Sequence, residues 1–315
     1  WDAGGPLRRF LGAVRPRLQV SVETEIWPLR LGYLRRAGVP AALVSARISA
    51  RRAPRYRRAG TLFRPALAGL SLVAPTSAAD RDRLLALGAR REALGPEGSL
   101  KWDACPKPPS DAHAEAVRGE LGLASDLPWL VLGSVHPGEC RPLLGELFER
   151  AAPEDRWGVL VAPRHPARFD DVAAELASLP VPLHRASRGP APLDARLVLI
   201  DALGVLPRLY PLASAAFVGG TLVPVGGHSP LEAAASSVPM ASGPHHGQQA
   251  DLLAPLQQAG AARVGDDPAA VAAALARWLR DPAEAARAGA LGRKEVDRRR
   301  GIGDRLAERL LELIP

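Results

Sequence analysis

The sequence is poor in cysteine, methionine and aromatic residues. Two cysteines and one methionine occur among 315 residues, and Phe, Trp and Tyr together account for 4%. Cys105 and Cys140 lack the spacing of metal ligands and have no need to pair, which is typical of a reducing compartment. With so few aromatic residues, we expect Leu, Val and Ala to fill the interior.

Long hydrophobic runs and a secretion signal are also missing. No stretch is long and apolar enough to cross a bilayer, and none has the pattern of a signal peptide. The sequence begins at Trp1 rather than at a methionine and leads directly into a segment that looks ordered. We therefore expect the natural N-terminal part to be missing, which leaves the first domain incomplete.

Positive charge is in excess, with a formal net charge of +8. Much of it comes from arginine clusters in the first third of the chain: Arg8-Arg9, Arg35-Arg36, Arg47, Arg51-Arg52, Arg55 and Arg57-Arg58. Such a surface attracts phosphates, nucleic acid or an anionic bilayer, although most charge runs are simply solvated. Aromatic residues do not alternate with these arginines and no nucleic-acid-binding motif is present, so we expect no nucleic-acid partner.

Length and patterning predict two α/β domains. Apolar strands alternate with helices in both parts of the chain, which predicts βαβ units and parallel sheets. Two Rossmann-like domains with a cleft between them are the simplest architecture. We place the first domain at 1–104, a proline-rich linker at 105–110 and the second domain at 111–300. A last helix within 301–315 is a candidate to pack back on the first domain.

The stretch at 215–232 has the pattern of a ligand-binding turn. An apolar strand, Ala215 to Val218, ends at Gly219-Gly220, and a second pair, Gly226-Gly227, follows. Ser229-Pro230 then predicts a helix start, with serine as the N-cap and proline at the first helical position. Backbone amides of the glycine loop and the helix N-terminus would bind a phosphate, while Glu232 would accept hydrogen bonds from a ribose diol. The alternative is a tight strand-to-helix turn without a ligand.

Three similar turns follow other predicted strands of the second domain, at 134–139, 163–166 and 201–204. His136 could donate to an anion, and Arg164 offers a planar fork that suits phosphate. Because parallel strands end at the same sheet edge, four such turns predict a ligand cleft. The histidines are too scattered for metal-ligand spacing, so we predict no metal.

In the first domain, Glu23 and Glu25 flank a threonine at the end of a predicted strand. On a strand they would point to opposite faces, so only one need face the cleft. Such an acid could stabilise an oxocarbenium-like transition state. Lys101 lies beside the predicted linker and could neutralise a leaving phosphate. The alternatives are surface acids satisfied by nearby arginines, and a surface lysine.

Together these stretches resemble one family, the 3-deoxy-D-manno-octulosonic acid (Kdo) transferases of lipid A biosynthesis, which are GT-B glycosyltransferases. The motifs occur in the family's order and spacing: ETEIWP (23–28), SARIS (45–49), GSLKWD (98–103), SVHPGE (134–139), PRHPARF (163–169), FVGGTLVPVGGHSPLEAAA (217–235) and GPH (243–245). The resemblance implies inverting, metal-independent transfer of Kdo from CMP-Kdo to a lipid A precursor, with no cofactor. It also implies a peripheral or N-terminally anchored protein at the cytoplasmic face of the inner membrane, where the arginine-rich domain would meet the anionic acceptor and bilayer.

The resemblance also implies roles for particular residues. Glu23 and Lys101 would be transition-state stabilisers. The CMP contacts would be Pro163, Arg164, Leu203, Gly204, Val205, Ser229, Pro230, Leu231 and Glu232, and we add His136 and Gly227 to this substrate-binding set.

The sequence departs from the family pattern in three ways that affect the expected transfer activity and nucleotide binding. The family's general base is a glutamate that would lie upstream of Trp1, so the chain as given is expected to bind CMP but to transfer poorly or not at all. Val205 and Ser229 stand where the family usually has glutamate and asparagine. Two alternatives remain open: another GT-B enzyme that uses a UDP-sugar, or a non-catalytic nucleotide-binding module at a membrane.

Overall fold

The computed structural model describes residues 4–152 and 154–315. The chain divides into two compact units: residues 1–104 together with 299–315, and residues 105–298. The proline-rich segment 105–110 belongs to the second unit, and the C-terminal helix belongs to the first.

The first unit is built on a three-stranded parallel sheet of order β1-β2-β3. Its strands are β1 (Gln19–Val22), β2 (Ala41–Ala46) and β3 (Leu72–Pro75). Its helices are α1 (Gly4–Val14), α2 (Pro28–Arg36), α3 (Ala53–Arg58), α4 (Gly60–Ala68), α5 (Ala78–Ala86), α6 (Lys101–Ala104) and a C-terminal helix (Ile302–Leu311). Gly38, just after α2, has φ +70°, the left-handed conformation in which glycine commonly ends a helix.

Two hydrophobic clusters hold the first unit together. One contains the buried Leu34 of α2 and Leu67 of α4. The other joins Val44 and Ala74 of the sheet to Ile302 and Leu306 of the C-terminal helix. The Asp103 carboxylate fixes the start of that helix, because its two oxygens accept hydrogen bonds of 2.6 Å from the amides of Gly301 and Gly303.

The second unit contains a seven-stranded parallel sheet of order β10-β9-β8-β4-β5-β7-β6. Its strands are β4 (Trp129–Val135), β5 (Gly158–Pro163), β6 (Leu183–Arg185), β7 (Leu197–Leu199), β8 (Ala213–Val218), β9 (Met240–Ser242) and β10 (Ala262–Val264). Its helices are α7 (Asp111–Leu121), α8 (Cys140–Glu149), α9 (Phe169–Ala177), α10 (Leu206–Leu209), α11 (Leu231–Ala235), α12 (Ala250–Gln258), α13 (Pro268–Arg280) and α14 (Pro282–Arg299).

The strand order creates a switch point beside β4. From β4 the chain first builds outward through β5, β6 and β7, and then returns to add β8 on the other side of β4. In open parallel sheets, ligands bind in the crevice at the carboxyl ends of strands where the order reverses. The central strands are buried on both faces, which explains why they read as continuous apolar runs. No helix in the described part of the chain is long and apolar enough to cross a bilayer.

Candidate functional site

A pair of histidines lies at the switch point of the second unit. His136 follows β4 and His228 lies in the loop after β8. Their Nε2 atoms are 2.8 Å apart, and the two ring planes are nearly parallel, at an interplanar angle of 9°. His165, which follows β5, lies edge-on to His136 with 5.7 Å between ring centroids. Three of the four turns that the sequence placed at one sheet edge therefore meet here.

Gly220 makes the histidine pair possible. Its φ is +70°, a region that favours glycine. A Cβ at this position would lie 3.2 Å from Cδ2 of His228 and 3.5 Å from Cδ2 of His136. A Cβ here would therefore press against the His228 ring, while its contact with the His136 ring would be an ordinary van der Waals contact.

Arg164 supplies the positive charge of the site. It is exposed, and its backbone amide donates to the Val135 carbonyl at 3.1 Å, which anchors it beside β4. Its side chain makes no hydrogen bond or ion pair with another residue of 4–152 or 154–315. Burial, followed by the neighbouring charges of His136, Arg164 and His165, lowers the pKa of His228 to about 4. Burial also lowers the pKa of His136, although the Glu139 carboxylate opposes the shift.

Glu232 is the acid of the site. It lies half-buried in the first turn of α11, and burial raises the pKa of its carboxyl group while the charge of Arg164 opposes that rise. Burial and the charge of Glu232 raise the pKa of the Tyr210 hydroxyl. The site thus combines one guanidinium, one carboxyl group and two imidazoles that are neutral at physiological pH.

Glu139 changes the interpretation of the glycine loop. This glutamate is fully buried, and its carboxylate accepts hydrogen bonds of 2.8–3.0 Å from four backbone amides: those of His136, Gly220, Thr221 and Leu222. The sequence assigned the glycine-loop amides to an external phosphate, and this was wrong for residues 220–222 because an internal carboxylate already occupies them. Sequence reasoning missed Glu139 as the organiser of the site because three of its four partner amides, those of residues 220–222, lie 81–83 residues away.

The predicted helix start is also displaced by one residue. The Pro230 carbonyl accepts the first helical bond, from the Ala234 amide at 3.1 Å, so α11 begins at Leu231 and Pro230 occupies the cap position. Ser229 is not the N-cap; its Oγ accepts from the Leu231 amide at 3.3 Å. Pro230 has helical dihedral angles, φ −82° and ψ −5°, so the helical conformation begins at the predicted residue and only the hydrogen-bonded helix begins one residue later.

The remaining predicted contacts are spread along the same sheet edge. Pro163 is buried at the end of β5, and Gly227 is buried with φ +84°. The loop at 203–205 follows β7, the neighbour of β5, and Leu203 is 60% exposed. Val205 lines a cavity of about 240 Å³ together with Ile200 and Leu209. These positions stay predictions as nucleotide contacts.

The polar site of the first unit is an ion pair. Lys101 Nζ lies 2.9 Å from Glu23 Oε1, with side chains 37% and 44% exposed. The expected alternation of Glu23 and Glu25 on a strand was wrong, because β1 ends at Val22 and Glu23 has a left-handed φ of +62°. Glu25 instead accepts a hydrogen bond of 2.6 Å from Trp27 Nε1.

The first-unit motifs meet at the carboxyl edge of its sheet. Ser45, at the end of β2, has φ +48°, and its Oγ accepts from the Leu100 amide at 3.0 Å. This bond holds the segment that carries Lys101 beside the strand ends. Within 4–152 and 154–315, no group of three or more His, Cys, Asp or Glu side chains is arranged to hold a metal ion. The expected absence of a metal requirement stays a prediction.

Solved structures define the class. The structure of Anabaena HepE in complex with UDP aligns with 97% of this chain and 82% of its own, at a TM-score of 0.64 and 12% identity, which shows the fold alone. The C-terminal CMP-Kdo binding domain of WaaA from Acinetobacter baumannii aligns with 59% of this chain and 96% of its own, at a TM-score of 0.54 and 26% identity. The chain has the two parallel-sheet α/β domains of the GT-B glycosyltransferases.

Sequence comparison identifies the family. A family model described as 3-deoxy-D-manno-octulosonic-acid transferase (kdotransferase) matches residues 1–104. The Kdo transferase of Bordetella pertussis is 36% identical over 91% of this chain and 68% of its own length. That of Haemophilus influenzae is 32% identical over 76% of this chain and 56% of its own length. The chain belongs to the Kdo transferase family, and it spans between about half and two thirds of these relatives.

Proposed function

We propose that the chain binds CMP-Kdo through its second unit and takes part in transferring Kdo to a lipid A precursor in lipopolysaccharide biosynthesis. Family membership and the similarity to a domain described as CMP-Kdo binding support the donor. The observation that carries the proposal is the cluster at the switch point, where Arg164, the histidine pair and Glu232 come together.

The chemistry of that cluster fits a nucleoside monophosphate. Arg164 has no charged partner among the described residues, so its guanidinium is available for a phosphate, which it can bind through two parallel hydrogen bonds. Glu232 presents carboxyl oxygens that can accept from both hydroxyls of a ribose. Neutral imidazoles add hydrogen-bond donors without repelling the guanidinium.

The ion pair of the first unit is proposed to act on the transfer step. A general base takes the proton of the acceptor hydroxyl as its oxygen attacks the anomeric carbon of Kdo. The bond from that carbon to the phosphate oxygen breaks, its electron pair stays on the phosphate, and the configuration inverts. The Glu23 carboxylate would stabilise positive charge at the sugar, and Lys101 would exchange its partner for the departing phosphate. In this proposal Arg164 and Lys101 supply the cationic charge, so the reaction needs neither a metal nor a cofactor.

The arginine-rich face of the first unit is proposed to contact the anionic acceptor and the cytoplasmic surface of the inner membrane. Around α3 the exposed arginines are Arg51, Arg52, Arg55, Arg57 and Arg58. Leu62, in the next helix, is 51% exposed and could insert among lipid headgroups.

Sedimentation with phosphatidylglycerol vesicles tests this membrane proposal. Replacing Arg55 and Arg58 by glutamine should weaken vesicle binding. Unchanged vesicle binding in this double variant would contradict the assignment of the arginine-rich face to the membrane.

Calorimetric titration of the full chain with CMP tests the donor site. Loss of a charged hydrogen bond costs about 1.5–3 kcal/mol, so Arg164→Ala should raise the Kd roughly 10- to 100-fold. Glu232→Gln should weaken binding by a smaller factor, because the amide keeps one acceptor. Arg168→Ala is the matched control: this arginine is in the same turn but already pairs with Asp171 at 2.7 Å, and its removal should leave the Kd unchanged. Unchanged affinity in both site variants would reject the site.

A UDP-sugar transferase is the second candidate, since the HepE structure that shares this fold contains UDP. The cytosine amino group needs an acceptor that uracil does not. Parallel titrations with CMP and UDP separate the two candidates: tighter binding of CMP supports a CMP-sugar donor, and tighter binding of UDP supports the alternative.

A further inference from the structure

The hydrogen bond between His136 and His228 fixes the number of protons that the pair can carry. With the two Nε2 atoms 2.8 Å apart, one hydrogen lies between them. In the neutral pair, one ring therefore carries its proton on Nε2 and the other on Nδ1. One Nδ1 atom is then a donor and the other an acceptor.

One additional proton changes what the pair presents to its surroundings. Protonation of the free Nδ1 leaves the shared hydrogen in place and turns both Nδ1 atoms into donors. A second additional proton would place two N–H groups against each other at 2.8 Å, so the pair holds one extra proton at most. The pair is thus a one-proton element that gains both a charge and a donor in a single step.

We propose that the His136–His228 pair is a proton-linked phosphate-binding element that takes up one proton when a phosphate dianion binds beside Arg164. The inference rests on the proposed function, because it places the CMP phosphate at the switch point. It adds His228 to the groups that determine specificity at that site, and it assigns to the pair the distinction between a phosphate monoester and a phosphate diester.

The charges around the pair determine whether phosphate binding raises or lowers its pKa. His136 faces the Glu139 carboxylate, Arg164 and His165, and His228 faces His136, Arg164 and His165. Burial, together with the charge of Arg164, keeps the pair neutral in the free protein, with the pKa of His228 lowered to about 4. A bound dianion offsets the charge of Arg164 and stabilises the imidazolium form. The pKa of the pair must therefore rise when the dianion binds.

The histidine pair would take up its proton when the transfer reaction adds a negative charge to the CMP phosphate. The donor phosphate is a diester with one negative charge. When its bond to the sugar breaks, the electron pair of that bond stays on the phosphate oxygen and the product CMP carries a second negative charge. A pair that takes up a proton from solvent in response to this second charge stabilises the departing group more than the bound donor. Interactions that strengthen along the reaction in this way accelerate it.

Nuclear magnetic resonance of the imidazole nitrogens in the full chain tests the inference directly. Long-range proton–nitrogen spectra distinguish the two neutral tautomers from imidazolium. At pH 7, CMP should convert the pair from one protonated Nδ1 to two, while cytidine 5′-(methyl phosphate), a diester, should produce less than a third of that change. His184 is the internal control, because it lies on β6 and its ring contacts the Gly189 carbonyl at 2.8 Å.

Calorimetry in buffers of different ionisation enthalpy supplies the second measurement. At pH 7 most of the CMP phosphate is already a dianion, since its second pKa is about 6. We expect a net uptake of 0.3–1 proton per CMP bound and affinity that weakens by up to tenfold per unit rise in pH, the limit for one linked proton. In His228→Gln the uptake should disappear and the pH profile should flatten, whereas His184→Gln should behave as the parent chain does.

The outcomes separate this inference from the proposed function. CMP binding that depends on Arg164 but leaves the protonation of both rings unchanged would overturn the inference alone. Equal uptake with the diester, or in His228→Gln, would also overturn it. Absence of CMP binding would overturn both. The magnetic resonance experiment needs only the parent chain, so it tests the inference even if a variant fails to fold.

Discussion

The two units place polar side chains at the same kind of location, the carboxyl edge of a parallel sheet, but use it differently. In the first unit the opposite charges Glu23 and Lys101 pair with each other at 2.9 Å in a half-exposed setting. In the second unit Arg164 has no ionic partner among the described residues, while burial favours the uncharged forms of His228 and Glu232. The first arrangement is self-neutralised, and the second leaves one cation ready for an anion.

The two sites also differ in what holds them in place. The first depends on left-handed φ angles at Glu23 and Ser45 and on a hydrogen bond from the Leu100 amide. The second is organised by a single buried carboxylate, Glu139, which collects four amides from two strand ends. We therefore expect the second site to be more sensitive to single substitutions.

The largest difference should appear on removal of Glu139. Glu139→Ala leaves four amides without their acceptor, two of them buried and two partly buried, and we expect the free energy of unfolding of the second unit to fall by about 3–5 kcal/mol. Urea unfolding, followed by the fluorescence of Trp129 and Trp157, measures it. Glu146→Ala, on the partly exposed side of the helix α8 that Glu139 precedes, should change stability by less than about 1 kcal/mol. Equal midpoints for Glu139→Ala and the parent chain would contradict the assignment.

The next largest effect should follow from crowding the histidine pair. Gly220→Ala introduces a Cβ at positive φ against the His228 ring, and we expect the Kd for CMP to rise about tenfold, or ~1.4 kcal/mol. Gly119→Ala, in helix α7 with open space around the new Cβ, should leave the Kd unchanged and slightly stabilise the protein. Full CMP affinity in Gly220→Ala would show that the pair does not contact the nucleotide.

A smaller effect concerns acid stability. Since the pKa of His228 is lowered to about 4 in the folded chain from 6.5, the unfolded chain binds more protons between these values. Stability should therefore fall as the pH drops from 6.5 towards 4. After allowance for solvent screening, the loss due to this group is about 1 kcal/mol. Unfolding curves at pH 7.5 and 5 should differ less in His228→Gln than in the parent chain, and an equal difference would contradict the burial of a neutral imidazole.

The smallest effect is expected in the first unit. Lys101→Ala breaks a half-exposed ion pair that contributes no more than about 1 kcal/mol, so stability should change little. Because Lys101 is proposed to act only as the phosphate departs, CMP affinity should change less than about threefold. Calorimetry of Lys101→Ala beside Arg164→Ala measures the contrast. If Lys101→Ala weakens CMP binding as much as Arg164→Ala does, Lys101 contributes to nucleotide binding, which contradicts its proposed role in the transfer step alone.

Much of the architecture could be predicted from the sequence, because it depends on local patterns. The alternation of apolar strands with helices predicted parallel sheets in both parts of the chain, and the sheets of both units are parallel. Apolar runs followed by glycine, proline and histidine also predicted that several turns share one sheet edge, and three of these turns meet at the histidine pair. The family followed from motifs that recur in a fixed order.

Non-local features could not be predicted. The insertion of β7 between β5 and β6 is a matter of tertiary packing that leaves no trace in periodicity. The glycine-loop amides donate to the Glu139 carboxylate and are therefore not free for a ligand. In the sequence, Glu139 is indistinguishable from any other acidic residue at the start of a helix. The bond between Nε2 of His136 and Nε2 of His228 joins residues 92 positions apart. Pattern-based reasoning identifies groups at a strand end, but only the structure shows which groups are already paired.

Hydrogen–deuterium exchange of the full chain with and without saturating CMP tests the central claim most directly, because it locates the nucleotide on one unit or the other. We expect protection concentrated in the second unit, in peptides covering 134–139, 163–166 and 219–232, with β1 and α6 of the first unit little changed. Protection confined to β1 and α6, with 163–166 and 219–232 unchanged, would contradict the assignment of the nucleotide to the second unit.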